Sequence, residues 1–216
     1  MASEKKKDSA YSKGALKLMV TAERLFGEYG IDNVSLRQIV TAAGQANSFA
    51  IQHHFGNKKG LIQSVYDMRV PVLDSGRMAR LETAKDKFGN ATVSQLLAAL
   101  FMPVVEDLSE TAQRSYALFN SRLMHVEVGE HPFVLSKVQQ PATEEINVRL
   151  KAHFSYLPDE VFRLRLRLAS ELFLAGLVER RHLSTTRNNP YPTPAPFWNE
   201  LLQAAEAILR VPYTAG

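Results

Sequence analysis

Apolar residues recur along the chain at helical spacing, interrupted by glycine, proline and capping residues. Leu18, Ala22, Leu25, Phe26 and Tyr29 follow one another at intervals of four, three, one and three, which puts them on one face of a helix. Gly30 is read as its left-handed C-cap. A second, short helix starts at Ser35, with Gln38 as its capping-box partner, and turns Leu36, Ile39, Val40 and Ala43 inward until Gly44 stops it. A third begins at Asn47 or Ser48, either of which can cap it, and runs through Ala50 and Ile51 to Phe55. Asn57 caps a fourth that carries Leu61, Ile62, Val65 and Met68 and is expected to end or bend at Pro71. The two short helices cannot persist alone in water, because nucleation is costly, so the pattern predicts a three-helix unit braced by its neighbours.

Every later strong pattern is also helical. Thr92 and Gln95 form a capping box ahead of Val93, Leu96, Leu97, Leu100, Phe101 and Val105, with a kink expected at Pro103. Leu118, Leu123 and Met124 belong to a helix that should end near Gly129 and Pro132, and another is expected from Phe133 to Phe154, perturbed at Pro141. Residues 161–168 alternate arginine and leucine as a strand would, yet they lie within a run of good helix formers after Pro158 and Asp159 and are read as helix. On that helix Leu164, Leu168, Leu172 and Ala175 make one apolar stripe, while Phe162, Leu166, Ala169, Phe173 and Gly176 make a second; Arg163, Arg167 and Glu171 form a polar edge. Two apolar sides imply two packing partners, the domain's own core and a second subunit. A proline-rich spacer, 184–196, precedes a last helix from Phe197 to Arg210. The expectation is an all-α protein of about nine helices: a basic, disordered arm over 1–12, a helix-turn-helix domain over 13–60, and a larger helical domain over 61–216 for effector binding and dimerisation.

Composition narrows the function. With 45% apolar and 22% charged residues, the 216-residue chain falls among ordinary globular proteins. It has no cysteine, which rules out disulfides and thiolate metal sites and makes a reducing, cytoplasmic home the expectation. The polar start lacks the apolar core of a signal peptide, and the longest apolar run, Leu96 to Val105, is too short to span a membrane. Residues 1–70 hold ten Lys/Arg against six Asp/Glu, whereas the remainder holds sixteen of each. The whole positive excess therefore sits in the N-terminal third, as suits a head that meets a polyanion such as double-stranded DNA.

The major groove of DNA admits one helix, and a short helix held across a tight turn by another can enter it. Residues 35–55 have that form, with Ala43-Gly44-Gln45-Ala46 as the turn. Residues 18–62 resemble the DNA-binding domain of the TetR (tetracycline repressor) family. The segments that carry the likeness are Ala22-Glu23-Arg24-Leu25-Phe26, Tyr29-Gly30, Ser35-Leu36-Arg37-Gln38-Ile39, Ala43-Gly44, and His54-Phe55-Gly56-Asn57-Lys58 with Leu61. The resemblance implies phosphate contacts from Ser35, Arg37 and Lys58, which anchor without discriminating. It implies base readout by Gln45, Asn47, Ser48, Phe49, Gln52 and His53; Asn and Gln can pair with adenine, and Phe can touch a thymine methyl. The stretch from Gly44 to Phe55 is one residue longer than the commonest family form, and Gln52 stands where tyrosine is frequent.

For the body, the resemblance implies a homodimer that senses a small-molecule effector and acts as a repressor at a palindromic operator. Phe101, Val105, Tyr116, Phe119, Asn120, Met124 and Phe173 are candidate pocket residues, with His125 conceivable as a further polar member. Phe162, Leu166, Phe173, Leu201, Leu202, Ala205, Ile208 and Leu209 are candidates for the dimer interface, paired as a four-helix bundle. No metal or cofactor is expected. Adjacent His53 and His54 diverge by about 100° on a helix, and the trio His125, Glu127 and His131 is interrupted by Gly129 and Pro132. No nucleophile motif or glycine-rich phosphate loop points to an enzyme. Two readings stay open beside the repressor: an activator or architectural protein with the same head, and a helical enzyme or binding protein whose basic head is incidental.

Overall fold

The computed structural model describes residues 11–45, 49–84 and 90–214. Among them it contains ten α-helices and no strand: α1 (Lys13–Tyr29), α2 (Leu36–Ala42), α3 (Ala50–Phe55), α4 (Lys58–Ala84), α5 (Val93–Glu106), α6 (Glu110–Leu123), α7 (Pro132–Leu135), α8 (Pro141–His153), α9 (Asp159–Thr185) and α10 (Pro194–Arg210). The all-helical expectation holds, with one helix more than anticipated because 133–154 is not continuous. Ser136 leaves the helical region at ψ 133°, and a fresh helix starts at Pro141, where proline suits the first turn. Of the expected end or bend at Pro71, the end does not occur, since α4 runs through it. Pro71 is exposed, so the carbonyl that its missing N–H leaves behind can be hydrated.

Caps explain most helix starts. Ser12, assigned above to the arm, instead caps α1, its Oγ accepting from the Ala15 amide at 3.2 Å. Residues 1–10 of that arm lie outside the described residues. Both predicted capping boxes form, at Ser35 with Gln38 and at Thr92 with Gln95. At α8 the cap comes from a distant helix. The buried Asp74 of α4 accepts from the Thr143 amide and hydroxyl at 2.9 and 2.7 Å and from the Ala142 amide at 3.2 Å. Arg77, one turn on, donates to Thr143 Oγ1 and to the Leu100 carbonyl, both at 3.0 Å, and so ties α4, α5 and α8 together.

Two apolar clusters organise the chain. One joins α1, α2, α3 and the start of α4 around Leu18, Phe26, Ile39, Ile51 and Leu61, and also takes in Phe119 and Leu123 from α6. The other fills the body between α4, α5, α8, α9 and α10. Head and body meet where α6 crosses α1. Phe26 stacks on Phe119 with ring centroids 6.2 Å apart, and a Cβ at Gly27 would lie 2.7 Å from Leu118 Cβ. The two helix backbones therefore nearly touch at Gly27. Around that contact Arg114 pairs with Glu28 at 3.3 Å, and Arg122 donates to the Gly27 carbonyl at 3.4 Å. On the other flank of α1, Arg69 of α4 grips Glu23, which is 0% exposed, through two nitrogens, one at 3.0 Å. Burial holds the Glu23 carboxyl above its ordinary value, and Arg69 opposes that shift without cancelling it.

The residues offered for the dimer interface fall mainly inside the chain's own core. Phe162, Phe173, Leu202, Ala205 and Leu209 are buried there, and Leu166, Leu201 and Ile208 pack against it. The cause is close contact of α9 with α10: a Cβ at Gly176 would lie 2.2 Å from Leu201 Cδ1. The other stripe of α9 has no such cover, with Leu164 46% and Leu168 41% exposed. Arg165, between them in sequence, is buried and donates to the Leu209 carbonyl at 3.0 Å and to that of Val211, closing the end of α10. No helix among the described residues is long and apolar enough to cross a membrane.

Candidate nucleic-acid interface

α2 and α3 are held by the apolar sides of α1 and α4, with Ile39, Val40, Ala50 and Ile51 buried beneath them. Gly44 turns the chain between them at φ +59°, in the left-handed region that a side chain opposes. α3 then starts at Ala50 with Phe49 as its N-cap residue and no side-chain cap, which corrects the expected start at Asn47 or Ser48. Those two residues lie outside the described ones. A close approach sets the far end of α3: a Cβ at Gly60 would meet the Phe55 carbonyl oxygen at 2.0 Å, so glycine is what lets α4 begin so near.

The outward side of α3 carries Phe49, Gln52 and His53, spaced three and one apart on one face and all exposed, Phe49 at 70%. An apolar ring so exposed, beside a hydrogen-bonding amide and an imidazole, is chemistry suited to base edges. His54 is exposed too, its ring edge-on to His53 with centroids 4.8 Å apart. Among the described residues no group of acidic and histidine side chains is arranged to hold a metal ion.

Gln45 behaves differently from its neighbours. Its Nε2 donates to the Gly14 carbonyl at 2.8 Å, so this side chain pins the turn to the first turn of α1 rather than standing on the outward face. Ser35 and Arg37 are exposed at the start of α2, and Arg37 has no hydrogen bond or ion pair to a described residue. Lys58 reaches the Asp32 carbonyl at 3.5 Å and lies over the Phe26 ring at 5.8 Å, at the start of α4. Tyr29, Asn33, Ser35 and Arg37 share one open groove of about 750 Å³ on the flank of the head. Sequence reasoning passed over Lys13 and Lys17, both exposed on the first turns of α1; Lys17 Nζ lies 3.5 Å from where a Gly44 Cβ would be. Their spacing of four, beside the turn, was the available signal.

The predicted pocket residues do not converge on one cavity. Phe119 belongs to the joint between head and body, and Phe101 and Phe173 stack in the body core with centroids 4.8 Å apart. The Asn120 side chain turns back to the Tyr116 carbonyl of its own helix at 2.9 Å. Tyr116 and Met124 pack against the body core. Val105 borders a cleft of about 720 Å³ on the side of the body.

The arrangement is that of a helix-turn-helix DNA-binding head carried on a helical body. Residues 18–65 match the sequence profile of the bacterial regulatory proteins, tetR family, so the head is a TetR-family DNA-binding domain. Among curated proteins no sequence matches this chain. Among solved structures, the TetR family transcriptional regulator PfmR from Thermus thermophilus aligns at 17% identity over 92% of this chain and 97% of its own, with a TM-score of 0.49. A candidate transcriptional regulator, SCO7518 from Streptomyces coelicolor A3(2), aligns at 16% identity over 93% and 100%, with a TM-score of 0.46. The superantigen pfit aligns at 19% identity over 94% and 90%, with a TM-score of only 0.33. At such scores these likenesses carry no weight for function, which rests on the head.

Proposed function

We propose that the protein regulates transcription by binding a palindromic operator as a homodimer, acting as a repressor that a small-molecule ligand releases. The observation that carries this reading is the outward face of α3, where Phe49, Gln52 and His53 stand exposed on a helix braced from behind. Arg37, Ser35 and Lys58 are the phosphate anchors, joined by Lys13 and Lys17, and the matched family profile covers all but Lys13 and Lys17.

A helix of six residues reaches few base pairs, so useful specificity calls for two copies a helical turn of DNA apart. The uncovered stripe of α9, Leu164 and Leu168 with exposed Ala175, is our choice for the surface that joins them. A second copy suits it because a twofold axis across one such stripe buries both. The regulator works in the cytoplasm, where bacterial DNA is. Its working units are the head, 13–60, and the body, 61–216, in which the effector binds. By linkage, a ligand that lowers operator affinity must itself bind the DNA complex less tightly.

Selection of bound fragments from random duplex DNA is the test. Recovery of an inverted repeat, bound with an affinity that falls as salt rises, is the expected result. Arg37→Gln should reduce the salt slope by about one. Fragments without a common sequence, or affinity indifferent to salt, would refute the proposal.

A further inference from the structure

A cleft of about 720 Å³ opens on the side of the body, between the end of α5, the start of α6, the last turns of α9 and the start of α10. That volume falls within the range of small-molecule sites. Leu177 and Trp198 give it an apolar floor, and three arginines, Arg114, Arg180 and Arg181, stand around it against one carboxylate, Glu110. Arg180 is the unusual member. Its guanidinium lies over the Phe197 ring at 5.9 Å, and its Nη1 is closed off from solvent with no hydrogen-bond partner. A buried donor left unpaired is costly, and the ring face offsets only part of that cost.

We propose that this cleft binds a small organic anion, a carboxylate or phosphate carried on an apolar or aromatic body. The anionic group takes donors of Arg181 and, as the Arg180 guanidinium turns from the Phe197 ring into the cleft, the donor now left unpaired, and the body lies on Leu177 and Trp198. Arg114 connects the cleft to the head, because its other commitment is to Glu28 of α1 at 3.3 Å. An anion in the cleft therefore competes with Glu28 for Arg114 and relaxes a bond across the joint between body and head. This inference deepens the ligand-responsive reading above by giving the effector a place and a chemical class.

Trp198 is the only tryptophan in the chain, so its emission reports on the cleft directly. The test is a fluorescence titration of the full-length protein, without DNA, using 4-phenylbutyrate and, as its uncharged counterpart, 4-phenylbutanol. A saturable change with the acid is expected, at a Kd at least about tenfold below that of the alcohol. Arg180→Met should abolish that preference. Arg181→Gln, at an exposed position, should weaken the acid several-fold while leaving the alcohol and the fold unchanged, and Glu28→Gln should tighten the acid by freeing Arg114. Equal affinities for acid and alcohol, no saturation at millimolar concentration, or a preference that survives both arginine substitutions would overturn the site. Unchanged acid binding in Glu28→Gln would overturn the link to the head. Because DNA is absent, failure here leaves operator selection standing, and failure of operator selection leaves this result standing.

Discussion

Head and body are both helical, yet they are built under different demands. The head presents short helices whose outer side chains stand in solvent and whose turns depend on single residues, Gly44 at positive φ and Gly60 against the Phe55 carbonyl. The body uses long helices packed over a wide apolar area, and its polar groups are turned inward, as Asp74, Arg77 and Thr143 are. A tool that reads an external surface must leave its working groups uncommitted; a scaffold satisfies its polar groups internally.

Breaking the shared joint should produce the largest effect. Phe119 belongs to the head's cluster although it comes from α6, so Phe119→Ala should cost about 3–5 kcal/mol, read as a lower urea midpoint for the whole chain. A loss confined to the head, with the body's midpoint intact, would show that the joint is not shared. Asp74→Ala removes acceptors from three donors and should cost about 1–3 kcal/mol of stability, with operator affinity retained in the folded protein. Phe49→Ala reverses that pattern. It should weaken specific DNA binding by about 1–3 kcal/mol, leave binding to random DNA unchanged, and shift stability by no more than about 0.5 kcal/mol. Equal loss on both DNAs would remove Phe49 from base readout.

The smallest effect concerns acid. His131 Nδ1 accepts from the Phe133 amide at 3.1 Å and so caps α7 as a neutral ring, and burial lowers its pKa. The folded chain then holds this proton less tightly than the unfolded chain does. The cap's contribution is full above the ordinary value of 6.5 and declines as pH falls through it toward the lowered folded value. Protection factors for the Phe133–Leu135 amides should drop modestly on acidification across that window, and constant protection would mean that the ring's charge does not matter to α7.

The contrast between the two regions also explains what could be read in advance. The head was legible because its fold needs particular residues at particular offsets: the Ser35–Gln38 capping box, Gly44 and the cap at Asn57, which accepts from the Gly60 amide at 2.9 Å. Gln45, expected among the base readers, has its amide on the Gly14 carbonyl, which sequence could not show, because a polar residue in a turn looks the same whether it faces outward or inward. In the body, periodicity located the helices but could not rank their faces. Both stripes of α9 are apolar, three leucines on one and two phenylalanines on the other, and the approach of α10 to Gly176 makes the Phe162 side the inner one. Pro71 did not end its helix, since proline in an exposed helix position costs a bond without forbidding the turn. The pocket assignment followed aromatic content toward the packed centre, whereas the unpaired Arg180 donor lies at the flank, where hydrophobic patterning gives no signal.

The meeting of α1 and α6 at Gly27 also bears on how a signal would travel. With Leu118 Cβ only 2.7 Å from where a β-carbon would sit, no pliable side chain separates the two helices to soak up a shift. The coupling is stiff, like metal on metal without a gasket: whatever tilts α6 must tilt α1, and with it the helices packed on α1. Evolution could thus retune the response by altering what pushes on α6, while leaving the bearing itself untouched.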